Sequence, residues 1–130
     1  MTDRISPHKP TLRRRQTVLL IEDRAKAAAR TKAVLKQEGR QVLACASVRE
    51  LLAVLPECVP DLIVFSADLR ELSGMETLQL LKRKAPGVPL LATTHLPSID
   101  RTVQLIRAGA VGLQAHPIHP ANLRAAVEEA

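Results

Sequence analysis

The sequence predicts a doubly wound parallel α/β sheet in which five strands alternate with five helices. Three observations carry that prediction. Short aliphatic runs recur along the chain, near residues 17–21, 41–45, 62–65, 88–93 and 111–114. Each run is followed by helix-start chemistry or by apolar residues at helical spacing. The third run, Leu62-Ile63-Val64-Phe65, is apolar without alternation, which marks a strand covered on both faces, as helices on both sides of a sheet require.

Composition sets the outer bounds. The 130 residues make one domain with room for a core, and 46% apolar with 25% charged residues is ordinary for a globular protein. Phe65 is the only aromatic residue, so the core is aliphatic and nucleic-acid binding by stacking on aromatic rings is excluded. Cys45 and Cys58 have neither metal nor redox spacing and read as two free thiols in a reducing compartment. Val18-Leu-Leu-Ile21 is too short for a signal peptide and runs straight into Glu22-Asp23, so a cytoplasmic location without membrane attachment is expected. The net charge of +6 is concentrated early: residues 1–16 hold five basic groups against one acid, and residues 17–40 hold six against three.

The elements follow in order. Residues 1–16, with Arg13-Arg14-Arg15, have no apolar periodicity and read as a basic disordered arm ahead of a domain at 17–130. After the first strand, Asp23 is expected to cap a helix from about Arg24 to Glu38 that Gly39 ends. Arg24, Lys26, Arg30, Lys32 and Lys36 make that helix basic, a solvated face or a surface for a partner or a polyanion. Ser47-Val-Arg-Glu50 is a capping box opening a short helix that stops near Pro56, and Ser73-Gly-Met-Glu76 opens another that runs to about Lys84. Pro86-Gly87 is turn chemistry. Pro97-Ser98 starts a helix carrying Ile99, Val103, Leu105 and Ile106, which Gly109 stops, and Pro120 sits at the first position of the last helix.

In an open parallel sheet, ligand sites lie beyond the carboxyl ends of the strands. Those ends carry Glu22-Asp23, Ser66, Thr94 and His116. They are far apart in sequence, and only the topology brings them together.

With those residues identified, the chain from Val18 to Ala130 resembles a bacterial response-regulator receiver domain of the CheY-like kind. The resemblance rests on the acidic pair Glu22-Asp23, on Pro60-Asp61-Leu62 with Gly74 eight residues past the acceptor position, on Thr94 after the fourth strand, and on Gly109-Ala110 followed by His116-Pro117. It implies a flavodoxin-like (βα)5 sheet in the order 2-1-3-4-5 and a cis bond between His116 and Pro117. In such domains two acids hold Mg²⁺, an aspartate after the third strand is phosphorylated, and a threonine and a lysine contact the phosphoryl group. The chemistry needs an anionic nucleophile and charge neutralisation.

The departures from that pattern agree with one another. Ser66 stands at the acceptor position, His116 at the lysine position, Leu113 at the aromatic position of the fifth strand, and Arg70 where a proline is common. Without a carboxylate at 66 a buried ammonium would lack its partner, whereas histidine can be neutral there. A serine hydroxyl needs an adjacent base to act as a nucleophile. The expectation is a degenerate receiver with no enzymatic activity: a phosphorylation-independent protein-interaction module in two-component or phosphorelay signalling. Its partner would be a signalling protein or kinase, or a second copy through the face of the fourth helix, fifth strand and fifth helix. Two alternatives stand beside it: phosphorylation at Asp68 or Ser66, and polyanion binding by the arm and first helix, without a sequence-reading motif. No cofactor is required, and weakly held Mg²⁺ at Glu22, Asp23 and Asp68 is the candidate ligand. For Asp68 the plainer reading is a solvated loop residue. For His116 and His119 it is a role in tight loops and helix capping, and for Thr94 it is a cap on the fourth strand.

Overall fold

A computed structural model of the chain describes residues 16–130. The basic arm with Arg13, Arg14 and Arg15 lies outside the described residues. Five parallel strands form one sheet: β1 (Thr17–Ile21), β2 (Gln41–Cys45), β3 (Leu62–Ser66), β4 (Leu90–Thr94) and β5 (Gly112–Ala115), in the order β2-β1-β3-β4-β5. Five helices alternate with them: α1 (Ala25–Gln37), α2 (Val48–Val54), α3 (Gly74–Lys84), α4 (Ile99–Arg107) and α5 (Pro120–Glu129). This is the doubly wound sheet that the strand pattern predicts, in the flavodoxin-like order that the resemblance implies. No helix among the described residues is long and apolar enough to cross a membrane.

Side chains alternate across the sheet and divide the core in two. Leu19, Ile21, Ile63, Phe65 and Ala92 face Leu51 of α2, Leu78 and Leu81 of α3 and Leu105 of α4. Val18, Leu20, Leu62, Val64 and Leu91 face Val34 and Leu35 of α1 and Leu123 and Val127 of α5. Every residue of β3 and β4 is buried, as central strands with helices on both faces must be. The edge strand β2 is largely exposed, and β5 at the other edge is half-buried.

The helix starts follow their capping chemistry with three exceptions, at α1, α2 and α5. The Ser73 hydroxyl accepts the Glu76 amide proton while Glu76 accepts that of Ser73, a complete capping box at α3. Ser98 caps α4 through the Arg101 amide. Ser47 accepts from the Glu50 amide, but Glu50 takes the Ala46 amide instead of closing the box. The larger correction is at α1. Its N-cap position is Arg24, with no capping side chain, and Asp23 turns away to accept the Arg70 amide proton at 2.8 Å. Bringing that amide within reach from a loop 47 residues on gives Asp23 a partner that local sequence could not reveal.

The register delivers the site. Ile21 pairs with Phe65, so the next residues, Glu22 and Ser66, leave the sheet side by side. Thr94 closes β4 beside Ala115 of β5, and His116 donates its amide proton to the Thr94 carbonyl at 2.8 Å. The His116–Pro117 bond is cis, as the resemblance implies.

Candidate functional site at the carboxyl edge of the sheet

Ser66 ends β3 and is buried, and its Oγ accepts the backbone N–H of Asp68 at 3.0 Å. That bond turns the chain after β3 inward and carries the Asp68 side chain over the end of β4. Gly74 lets α3 lie against this turn, since a Cβ there would come within 3.1 Å of the Ala67 carbonyl oxygen.

Asp68 is not the solvated loop residue its position suggests. Its side chain is 7% exposed and takes donors from three directions. Thr94 Oγ1 donates to Oδ1 at 2.9 Å, the His95 amide to Oδ2 at 2.6 Å, and Arg101 Nη2 of α4 to Oδ1 at 2.8 Å. Burial alone would raise the Asp68 pKa. The His95 amide, the Thr94 hydroxyl and the Arg101 charge outweigh it and hold the carboxyl below its ordinary value, so the group is an anion. Arg101 also donates to the Ala67 carbonyl, clamping α4 to the turn. Thr94 does more than cap its strand: while donating to Asp68 it accepts the Leu96 amide proton at 3.0 Å.

On the other side of the cleft, His116 stacks on His95 with ring centroids 4.0 Å apart, and its Nε2 stands 3.6 Å from Glu22 Oε1. These two side chains are 5% and 2% exposed. Burial lowers the His116 pKa, and the neighbouring His95 adds to the effect. Burial raises that of Glu22, against the pull of the Arg24 amide. Glu22 Oε1, Asp23 Oδ1, His95 Nδ1 and His116 Nε2 are all buried among the described residues without a hydrogen-bond partner.

The topology therefore brings Glu22, Asp23, Ser66, Asp68, Thr94 and His116 to one edge. Sequence reasoning missed His95 and Arg101. His95 contributes its backbone amide, which no side-chain pattern signals. Arg101 had a signal: it lies one turn before Leu105, on the side of α4 that faces the core, where an arginine calls for an acid to meet it. His119 occupies the N-cap position of α5 without capping it through its side chain. Leu113 packs partly buried against the core beneath α4, and Arg70 is exposed. Arg24 before α1 and Lys26, Arg30 and Lys36 on it are exposed and Lys32 is half-buried, while Arg30 reaches back to the Ile118 carbonyl. Both cysteines are free thiols.

The family model for the response regulator receiver domain matches residues 18–128 of this chain. The chain belongs to the response regulator receiver family. Among curated relatives, this receiver is 30% identical over 111 residues to the luminescence regulatory protein LuxO of Vibrio campbellii, covering 85% of this chain and 24% of that protein. It is 28% identical over 113 residues to the transcriptional regulatory protein ZraR of Escherichia coli K12, covering 87% and 26%. The chain thus spans about a quarter of the length of these relatives. The receiver domain of a putative LuxO repressor protein from Vibrio parahaemolyticus superposes with a TM-score of 0.80 at 26% identity, covering 89% of each chain. The chemotaxis protein CheY4 of Vibrio cholerae shares the fold at the same TM-score and 21% identity, covering 89% of this chain and 98% of that one.

Receiver domains commonly bind Mg²⁺ at this edge, and the oxygens present here can be tested for it. Glu22 Oε2 is taken by the Arg24 amide and Asp23 Oδ2 by the Arg70 amide. Both oxygens of Asp68 are engaged, and Ser66 brings a neutral hydroxyl. Of these carboxylate oxygens only Glu22 Oε1 and Asp23 Oδ1 are without a hydrogen-bond donor, and an imidazole faces the first. No group of three His, Cys, Asp or Glu among the described residues is placed to hold a metal ion. A hard cation that wants about six oxygens finds a poor set here.

Proposed function

We propose that this receiver works without being phosphorylated, as a protein-interaction module in two-component or phosphorelay signalling that requires no cofactor. The observation that carries the reading is Ser66. A buried alcohol occupies the acceptor position, its oxygen already accepts a backbone proton, and no base stands among its hydrogen-bond partners. Asp68 offers no replacement nucleophile, because its two oxygens are committed to Thr94, His95 and Arg101.

The surface offered to a partner is the outer face of α4. Ile99, Val103 and Ile106 form an exposed apolar row, Ile99 at 83%, and Val111 before β5 is exposed as well. Asp100 and Arg107 lie toward opposite ends of the helix, so two copies meeting about a twofold axis would set opposite charges against each other. A second copy or a signalling protein is the occupant this face suits.

The reading is tested by incubating the protein with acetyl phosphate and Mg²⁺ and measuring its intact mass. An unchanged mass is expected, and stoichiometric addition of a phosphoryl group overturns it.

A further inference from the structure

Three donors converge on one point: a hydroxyl at the end of β4 (Thr94), a backbone amide just beyond it (His95) and a guanidinium from α4 (Arg101). A hydroxyl, an amide and a guanidinium around one point form a cradle for an oxyanion. What fills it belongs to the chain itself. The Asp68 carboxylate enters on a turn whose geometry is held by its own amide bonded to Ser66 and by the close approach of Gly74 to Ala67.

We propose that Asp68 is a built-in ligand of this cradle: the chain supplies the anion from within and so holds the β4–α4 segment in one arrangement without an external phosphate. The proposal rests on the phosphorylation-independent reading and adds the means by which the site is kept in one state. Three features support it. Asp68 meets donors from the end of β4 and from α4, so removing its carboxylate breaks the side-chain link between them. Its carboxyl is held in the anionic form by those same donors. Arg101 belongs to the helix that presents Ile99, Val103 and Ile106, so the buried anion and the outer surface share one rigid element.

It follows that deleting the carboxylate turns a filled cradle into a receptor for small oxyanions. The test compares the wild-type chain with Asp68→Ala at fixed ionic strength. Formate and inorganic phosphate are titrated while the His95 and Leu96 amide resonances and the unfolding temperature are followed. Asp68→Ala is expected to unfold at a lower temperature, to regain part of the loss with either anion but not with chloride, and to bind phosphate at least about tenfold tighter than wild type. A variant whose His95 amide ignores both anions, or a wild type that binds phosphate equally well, overturns the proposal.

Should Asp68→Ala not fold, Asp68→Asn keeps the shape and removes the charge. Exchange of the His95 and Leu96 amides with solvent is then expected to speed up at least about tenfold while amides of β3 keep their protection. Unchanged exchange overturns the proposal. Phosphoryl transfer to the wild-type chain would refute the underlying reading instead, whatever the variants do.

Discussion

His116 Nε2 and Glu22 Oε1 face each other across 3.6 Å of buried space, and neither atom has a hydrogen-bond partner. The pair joins the end of β1 to the turn after β5, and its two members answer to pH in opposite senses. Burial sets the His116 pKa below its ordinary 6.5, so the unfolded chain binds that proton more readily. The stability His116 contributes is complete above pH 6.5 and is lost as the pH falls toward the folded value. Glu22 has a raised pKa, so its contribution is present below 4.5 and lost as the pH rises through the folded value. Replacing His116 with Gln should therefore remove the part of the wild-type stability slope that begins below pH 6.5. Urea unfolding at a series of pH values measures it, and parallel profiles for the two proteins would refute the assignment.

Ser66→Asp should restore a demand for metal. The register puts residue 66 beside Glu22, so a third carboxylate there meets like charge and lacks the lysine that would offset it. The variant is expected to be less stable than wild type in EDTA and to recover with Mg²⁺. A site saturated to about 100 times its dissociation constant returns about 2.7 kcal/mol. Thermal unfolding with and without Mg²⁺ checks this, and the wild-type midpoint should shift much less.

Gly74→Ala probes the turn that aims Asp68. The added methyl would lie 3.0 Å from the Ala67 Cβ and 3.1 Å from its carbonyl oxygen, and backbone must move to admit it. A cost of about 1–3 kcal/mol is expected. Faster amide exchange at His95 should accompany it, because the displaced turn carries the carboxylate with it. Gly39→Ala gives a contrast: its cost comes from a φ of +81° with open space around the Cβ, and His95 should not notice it.

Ile99→Glu and Val103→Glu test the outer face of α4. Both positions are exposed, so stability should stay within about 0.5 kcal/mol of wild type. Sedimentation equilibrium should show any self-association of the wild-type chain weakened in both variants. Self-association undiminished in both would move the interface elsewhere.

The sheet was legible because its signals are local and repeated. An unbroken apolar run announces β3, and Ser73 and Ser98 announce α3 and α4. The gathering of Glu22, Ser66, Thr94 and His116 followed from topology, since parallel strands send their carboxyl ends to one edge. The partners of each group were harder to foresee. Asp23 carried every local mark of a helix cap and is used 47 residues away, because the loop after β3 presents an amide that only tertiary packing creates. Asp68 looked like a loop acid for a similar reason: two of its donors are a backbone N–H and an arginine one helix away. Local chemistry marked where elements begin, while long-range pairing chose which acid went to which donor.

Phe65 is buried and is the one phenylalanine of a chain that has neither tryptophan nor tyrosine. The protein is therefore almost colourless near 280 nm, and its concentration must be measured by peptide absorbance or amino-acid analysis. The same spectral silence is an advantage. One tryptophan placed at Leu113, which packs against the core below α4, would be the only indole in the chain, and its fluorescence would report on that region without interference from another tryptophan or a tyrosine.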